Sequence, residues 1–403
     1  MSTDTGQSPS SPASEDGVGR PTTRPLHQLV LKVHSRCDLA CDHCYVYEHA
    51  DRSWRGRPTV MAPDVIARTA GRIAEHAAAH GLETMHVILH GGEPLLAGLP
   101  RLRLVAEELR SALEPGCRLD LRIQTNAVRL DERFCELFLE YDVKVGVSLD
   151  GDRLSHDRHR RFRDGRGSHE HVLRGLRLLG RPRYRHLLAG LLCTVDPAND
   201  PLRVYAALRE LDPPRIDFLL PHATWDNRPP RPGGAPTPYA DWLIAIADEW
   251  FTTGRPVPVR LFASLLSLLT GGPSFVESLG TDSVDHVVIE TDGTIEQADS
   301  LKTAYEGAPA TGLDVFAHSL DEVAAHPGLV ERRRGLEDLC GTCRSCPLVR
   351  VCGGGLYAHR FRSGGGFDNP SVYCPDLTRL IAHFQDRFLT AAPSGVAGAG
   401  EEP

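Results

Sequence analysis

Three cysteines, Cys37, Cys41 and Cys44, stand in the spacing C-x3-C-x2-C within His34-Ser35-Arg36-Cys37-Asp38-Leu39-Ala40-Cys41-Asp42-His43-Cys44-Tyr45. A closed tetrahedral metal site or a fully ligated cubane cluster asks for four protein ligands, so three thiolates on one short loop leave an iron with an open position. A second set, Cys340-x2-Cys343-x2-Cys346-x5-Cys352-x21-Cys374, lies toward the other end of the chain. Eight of the eleven cysteines fall in these two groups, which favours ligands over disulfides. Between them, His90-Gly91-Gly92-Glu93-Pro94 offers backbone that can approach a ligand closely, and Glu93 with nearby carbonyls could bind an ammonium.

Such groups need a scaffold that gathers them. Apolar runs at 28–34, 84–90, 119–125, 144–149, 187–195 and 215–220 read as strands. They alternate with helical periodicity at 63–80, 102–113, 132–141, 170–179 and 201–211, with Pro63 and Pro201 suited to first helical turns. Six β/α units predict an α/β fold, an open, partial (β/α)6 TIM-like barrel, with chemistry at the C-terminal ends of its strands. The cysteine loop follows the first strand, Gly91-Gly92 ends the second, Gln124-Thr125-Asn126 the third, and Val147-Ser148-Leu149-Asp150-Gly151 the fourth. A Pro-rich junction at 229–238 precedes helices at 239–253 and 260–269, and a hairpin at 286–289 and 294–297 turns at Asp292-Gly293. The implied division is a disordered tail (1–26), barrel (27–235), helical linker (236–280), cysteine-rich domain (281–390) and a second disordered tail (391–403).

Composition narrows the function classes. The 403 residues are 41% hydrophobic and 24% charged, with net charge −8, and no basic stripe argues for nucleic acid or a membrane surface. The longest apolar stretch, 261–269, is broken by Ser264 and Ser267 and is too short to span a bilayer, and residues 1–24 lack the apolar core of a signal peptide. A cytoplasmic location is expected. Lysine is scarce, with only Lys32, Lys144 and Lys302. His76 and His80, spaced i, i+4, read as solvent-facing rather than metal-binding. Cys117, Cys135 and Cys193 read as small core residues, and 158–163 as a solvated, charged loop.

The C-x3-C-x2-C motif directly after a first strand resembles the signature of radical S-adenosylmethionine (SAM) enzymes. The resemblance implies a [4Fe–4S] cluster on Cys37, Cys41 and Cys44 whose open iron chelates SAM and cleaves it to a 5′-deoxyadenosyl radical. His43 stands where the family has an aromatic residue, with Tyr45 next to it. By the same resemblance the SAM site draws on Tyr45, on Gly91, Gly92, Glu93 and Pro94 at the amino group, and on Thr125, Asn126, Ser148 and Asp150 at the ribose and carboxylate. Arg160 of His156-Asp157-x2-Arg160 would pair with the carboxylate, and strand five from Leu191 would lie beside the adenine. The C-terminal cysteines resemble a SPASM domain reduced to one auxiliary [4Fe–4S] cluster on Cys343, Cys346, Cys352 and Cys374, with Cys340 a fifth thiol of open role. The other auxiliary set is absent: 277–283 contain no cysteine, and Ala298 and Leu356 occupy two further ligand positions. Asp299, directly after Ala298, is then the candidate base.

Cys41-Asp-His-Cys-Tyr-Val-Tyr-Glu-His49, residues 289–302, Cys352-Gly-Gly-Gly-Leu-Tyr-Ala-His-Arg360 and Pro370-Ser-Val-Tyr-Cys374 look similar to the FxsB-type group of radical SAM/SPASM peptide maturases. This implies an oxidoreductase that crosslinks a precursor peptide between a Cβ and an aromatic carbon (a three-residue cyclophane), with a flavodoxin or ferredoxin as reductant. Formylglycine or thioether formation on a peptide, and a non-catalytic iron–sulfur or zinc scaffold, are the competing readings.

Overall fold

The structure, a computed structural model, describes residues 24–281 and 285–391. Six strands, β1 (Gln28–His34), β2 (Thr84–Gly91), β3 (Arg118–Thr125), β4 (Lys144–Ser148), β5 (Leu188–Thr194) and β6 (Ile216–Leu219), pair in parallel. Helices α1 (Pro63–His80), α2 (Gly98–Leu113), α3 (Glu132–Glu140), α5 (His169–Leu179) and α6 (Pro201–Arg209) return the chain between them. The predicted (β/α)6 barrel is therefore present. Strand alternation sorts its side chains: Leu29, Leu31 and Val33 of β1 are buried against the helices, while Val30 faces the barrel interior. On β2, Met85, Val87 and Leu89 are buried in the same way and Ile88 and His90 point inward.

The local signals behave as their chemistry requires. Pro63 and Pro201 occupy first turns, Gly81 closes α1 in the left-handed conformation, and Asp131 and Asp200 cap α3 and α6 by accepting backbone N–H groups. Two elements carry too weak a pattern to read in sequence. The seven-residue helix α4 (Arg153–His159) is held by its Asp152 cap, and Leu154 on it is 70% exposed, so no apolar stripe marks it. The short strand β9 (Ala310–Asp314) is largely unburied.

The C-terminal part is not set apart from the barrel as its separate listing in sequence suggested. Strand β7 (His286–Ile289) pairs in parallel with β1, Gln28 opposite His286, and continues into β8 (Thr294–Glu296) and β9. One nine-stranded sheet, in the order β6-β5-β4-β3-β2-β1-β7-β8-β9, thus spans both. Helices α7 (Pro238–Thr252) and α8 (Arg260–Leu269) pack with the C-terminal helix Cys374–Ala391 beyond β6, through Phe262, Phe251 and Phe384.

The expected disordered tails fall outside the described residues, apart from 24–26 and 391. Leu26, placed in the first tail, is instead fully buried and donates its N–H to His76 Nε2 at 2.9 Å. His76 corrects the solvent-facing reading: it is buried, with Nδ1 2.7 Å from Asp321 Oδ1, and His80 Nε2 reaches the same oxygen at 2.8 Å. The pair fastens α1 to the short helix α9 (Leu320–Ala324). Cys117, Cys135 and Cys193 are buried in the core. No helix among the described residues is long and apolar enough to cross a membrane.

Candidate active site

The loop after β1 brings Cys37, Cys41 and Cys44 to the wall of a cavity of about 830 Å³ at the C-terminal strand ends. Burial pushes the Cys41 thiol up to about 12 and raises Cys37 and Cys44 as well. Thiols so placed ionise only with a cation among them, which suits ligands better than nucleophiles. A tetrahedral zinc ion would draw its thiolates to roughly 3.8 Å from one another, given Zn–S bonds near 2.3 Å. Among the described residues, the groups whose three ligand atoms lie within 4.8 Å of one another contain only His, Asp and Glu. Neither cysteine set therefore brings three sulfurs to the close spacing of a zinc site.

Gly92 is required by the protein's own backbone. Its N–H donates to His34 O and the Glu93 N–H to Arg36 O, both at 2.9 Å, so the end of β2 lies flat against the start of the cysteine loop. A Cβ at Gly92 would sit 2.4 Å from the Arg36 carbonyl and 1.9 Å from the Tyr47 hydroxyl. Glu93 is 1% exposed and accepts from Thr125 Oγ1 (2.7 Å), Asn126 N (2.8 Å) and Leu95 N (2.9 Å). These donors tie β2 to β3, a bracing role beyond the ammonium contact read from sequence. Burial still raises its carboxyl to about 7, despite all three donors. A cation bound in this cavity would supply the missing compensation.

Other expected contacts divide. Tyr45, Gly91, Gly92, Glu93, Thr125, Asn126, Ser148 and Arg160 line the cavity. Asn126 also steadies the cysteine loop, its Nδ2 donating to Asp38 Oδ1 at 2.9 Å, and Ser148 Oγ accepts from Gln124 Nε2 at 3.0 Å. Asp150 does not reach the cavity: its carboxylate accepts from Arg160 Nε (2.6 Å) and Nη2 (3.2 Å) and from Thr194 N (2.9 Å), so it orients Arg160. Arg160, on the stretch read as a solvated loop, is buried by this pairing. Pro94 is buried and starts a single 3-10 turn. Of strand five, Leu192 and Thr194 line this cavity, whereas Leu191 is fully buried and borders the inner cavity described next.

A second, inner cavity of about 310 Å³ adjoins the first. Tyr45, His90, Gln124, Leu192 and His222 line both. Asp299 lines the inner one. It is not an exposed hairpin residue: its side chain is 12% exposed, its Oδ2 accepts from Lys32 Nζ at 2.6 Å, and its Oδ1 is buried without a partner. His222 Nδ1 and Ser300 Oγ are likewise buried and unpartnered beside this cavity. Behind Asp299, Lys302 sits 2.6 Å from Glu296 and 3.1 Å from Glu290. Ammonium groups therefore occupy the places between these carboxylates where a metal ion would stand. Lys32 and His222 were missed in sequence. The rarity of lysine was a usable signal for the first; His222 in the loop after β6 carried none.

The C-terminal cysteines also converge. Cys343 neighbours Cys340 and Cys352, Cys352 neighbours Cys346 and Cys374, and Cys374 neighbours Cys346 and Cys340, in each case near enough to raise the first-named thiol. The run Gly353-Gly354-Gly355 takes three successive positive φ angles, and Arg360 donates to all three of its carbonyls at 2.6–3.1 Å. A run of tilted and edge-on ring contacts joins the two cysteine regions: Tyr45 to His222 (4.6 Å between centroids), His222 to His359 (5.9 Å) and His359 to Tyr373 (4.9 Å), the neighbour of Cys374.

Fold and cavity together define a partial α/β-barrel enzyme built to hold a cluster and a charged small cofactor on its strand ends. Residues 31–190 match the model of the Radical SAM superfamily, and the parallel sheet with its helices is the radical SAM α/β fold. The protein is accordingly an enzyme of radical, oxidoreductase type whose cofactors are SAM and a [4Fe–4S] cluster. The serine-type anaerobic sulfatase-maturating enzyme of Bacteroides thetaiotaomicron is 24% identical, over 90% of each chain. An uncharacterized protein of Synechocystis, sll1766, is 26% identical over 86% of this chain and 87% of its own. Among solved structures, native anSMEcpe with bound AdoMet superposes with a TM-score of 0.78 at 21% identity, covering 91% of this chain and 99% of that one. Streptococcus suis SuiB bound to precursor peptide SuiA gives 0.56 at 14% identity, over 87% and 76%. These superpositions establish the shared fold.

Proposed function

We propose that this enzyme oxidises a side-chain Cβ of a ribosomally made precursor peptide and joins it to a nearby aromatic carbon, forming a cyclophane. The observation that carries the reading is the inner cavity: it shares a wall with the cofactor cavity and is lined by Asp299, whose Oδ1 is buried without a partner. SAM bound on the Cys37, Cys41 and Cys44 cluster supplies a 5′-deoxyadenosyl radical that removes one hydrogen atom from the peptide. Gly91 and Gly92 seat the cofactor, Arg160 meets its carboxylate, and Tyr45 and His222 separate it from the peptide side. Asp299 accepts the proton lost when the ring regains aromaticity. Cys343, Cys346, Cys352 and Cys374 would hold an auxiliary cluster able to accept the remaining electron, with a flavodoxin or ferredoxin as the source of reducing equivalents.

A second reading is supported by the sulfatase-maturating relatives, which match along about nine-tenths of both chains. In that case the oxidised Cβ becomes an aldehyde. Anaerobic co-expression with candidate short peptides encoded by open reading frames near this gene tests both. A peptide two hydrogens lighter that does not react with a carbonyl probe supports the crosslink. A carbonyl-positive product replaces it with the aldehyde reading, and an unmodified peptide beside abundant 5′-deoxyadenosine sinks both.

A further inference from the structure

Two of the three lysines in a chain with 45 Lys and Arg residues are buried at one place, around Asp299. Lys32 rises from β1 directly opposite His90 of β2, is 3% exposed at its side chain, and places Nζ 2.6 Å from Asp299 Oδ2 and 3.5 Å from His90 Nδ1. Lys302 is turned the other way, toward Glu296 and Glu290. The cation in direct contact with Asp299 is therefore Lys32. An ammonium is a point charge that can grip one carboxylate oxygen, whereas a guanidinium is a planar fork that tends to take both. In this structure the second oxygen, Oδ1, is buried without a hydrogen-bond partner, and Asp299 is a lining residue of the inner cavity.

We infer that Lys32 is the positioning residue of the reaction: it holds Asp299 ionised through Oδ2 and leaves Oδ1 open to receive the substrate proton. This rests on the proposed role of Asp299 as base. In the step concerned, the ring C–H bond breaks and its proton forms an O–H bond at Oδ1. The bonding pair joins the ring, and one electron leaves to an iron–sulfur cluster as one-electron oxidant. Lys32 offsets the charge of Asp299 before transfer and hydrogen-bonds the neutral acid after it. The groups facing Asp299 are Lys32 from β1, His90 from β2, Tyr45 from the cysteine loop, Glu290 after β7, Glu296 of β8 and Lys302 of its own turn, with His222 and His286 across the cavity. Burial works against the Asp299 charge, yet Lys32 and then Lys302 hold its carboxyl below the usual range.

Infrared titration of the peptide-free holoenzyme tests the pairing directly. With Asp299→Asn as the spectral blank, the protonated carboxyl band of Asp299 should persist to higher pH in Lys32→Met than in wild type. An unmoved band overturns the proposal. Lys32→Arg, which keeps the charge and protects against misfolding, should leave Asp299 ionised yet cut peptide modification by roughly 10²-fold, the low end of what a positioned base supplies. Wild-type modification by Lys32→Arg overturns the open-oxygen argument. Full modification by Asp299→Asn, with the Lys32→Met band still shifted, refutes Asp299 as base while leaving the pairing intact.

Discussion

Replacing Asp150 by Asn measures how firmly Arg160 is held at the cofactor cavity. Asp150 is 3% exposed and its partner's side chain 13%, so solvent screens the pair little. Burial alone would raise the Asp150 carboxyl; Arg160 overrides it and brings the group down to about 2 from 3.8. A depression of about 1.8 units is worth roughly 2.4 kcal/mol of stability at neutral pH. Removing the charge also leaves a buried guanidinium unpaired, which carries the expected loss toward about 3–5 kcal/mol. At about 2.1 cal/mol/K per residue, a chain of this length has an unfolding entropy near 0.8 kcal/mol/K, so Tm should fall by roughly 3–6 °C. Because the folded-state carboxyl is depressed, the stabilisation is complete above the unfolded value of about 4 and is lost as pH falls through about 2. The gap between wild type and Asp150→Asn should stay level from pH 8 to about 5 and close below about 4. Calorimetry on the anaerobic holoenzyme reads both. A Tm change under about 1 °C, or a gap that widens in acid, refutes the reasoning.

Gly92→Ala should abolish SAM binding by calorimetry, because its Cβ would collide with the Arg36 carbonyl at 2.4 Å and spread the cysteine loop from β2. Single Ala replacements at Cys343, Cys346, Cys352 or Cys374 should remove one cluster's worth of iron while leaving SAM cleavage, and Cys340→Ala should retain full iron, both by metal analysis and electron paramagnetic resonance. Lys302→Met should cost about 3–5 kcal/mol in denaturant unfolding, since it removes the ammonium between the buried Glu290 and Glu296 and leaves only Arg57, 3.2 Å from Glu296, to offset them. A loss below about 1 kcal/mol would mean that these two carboxylates are folded as neutral acids.

The strands of the barrel were legible because parallel strands under helices are long apolar runs bounded by turn residues, and their limits fall within about two residues of those expected. The cavity set was legible for a related reason. Motifs at strand ends are brought together by the barrel whatever their separation along the chain. What failed depended on facing direction. Leu191 borders the inner cavity and Leu192 both, and Asp150 was given a ligand contact where it grips Arg160. His76, hydrophilic by type, is buried because Leu26 and Asp321, far away in sequence, supply its two partners.

Residue type and spacing determined that this chain carries two cysteine sets, an open metal position and a glycine-lined ligand turn on six β/α units, since each is a local covalent fact that no packing can undo. The tertiary structure decided which oxygen of Asp299 is free, that Lys32 rather than Lys302 holds the other, and that β7 extends the barrel's own sheet. Those are matters of long-range register and charge pairing, set only when strands distant in sequence come into contact and exclude water.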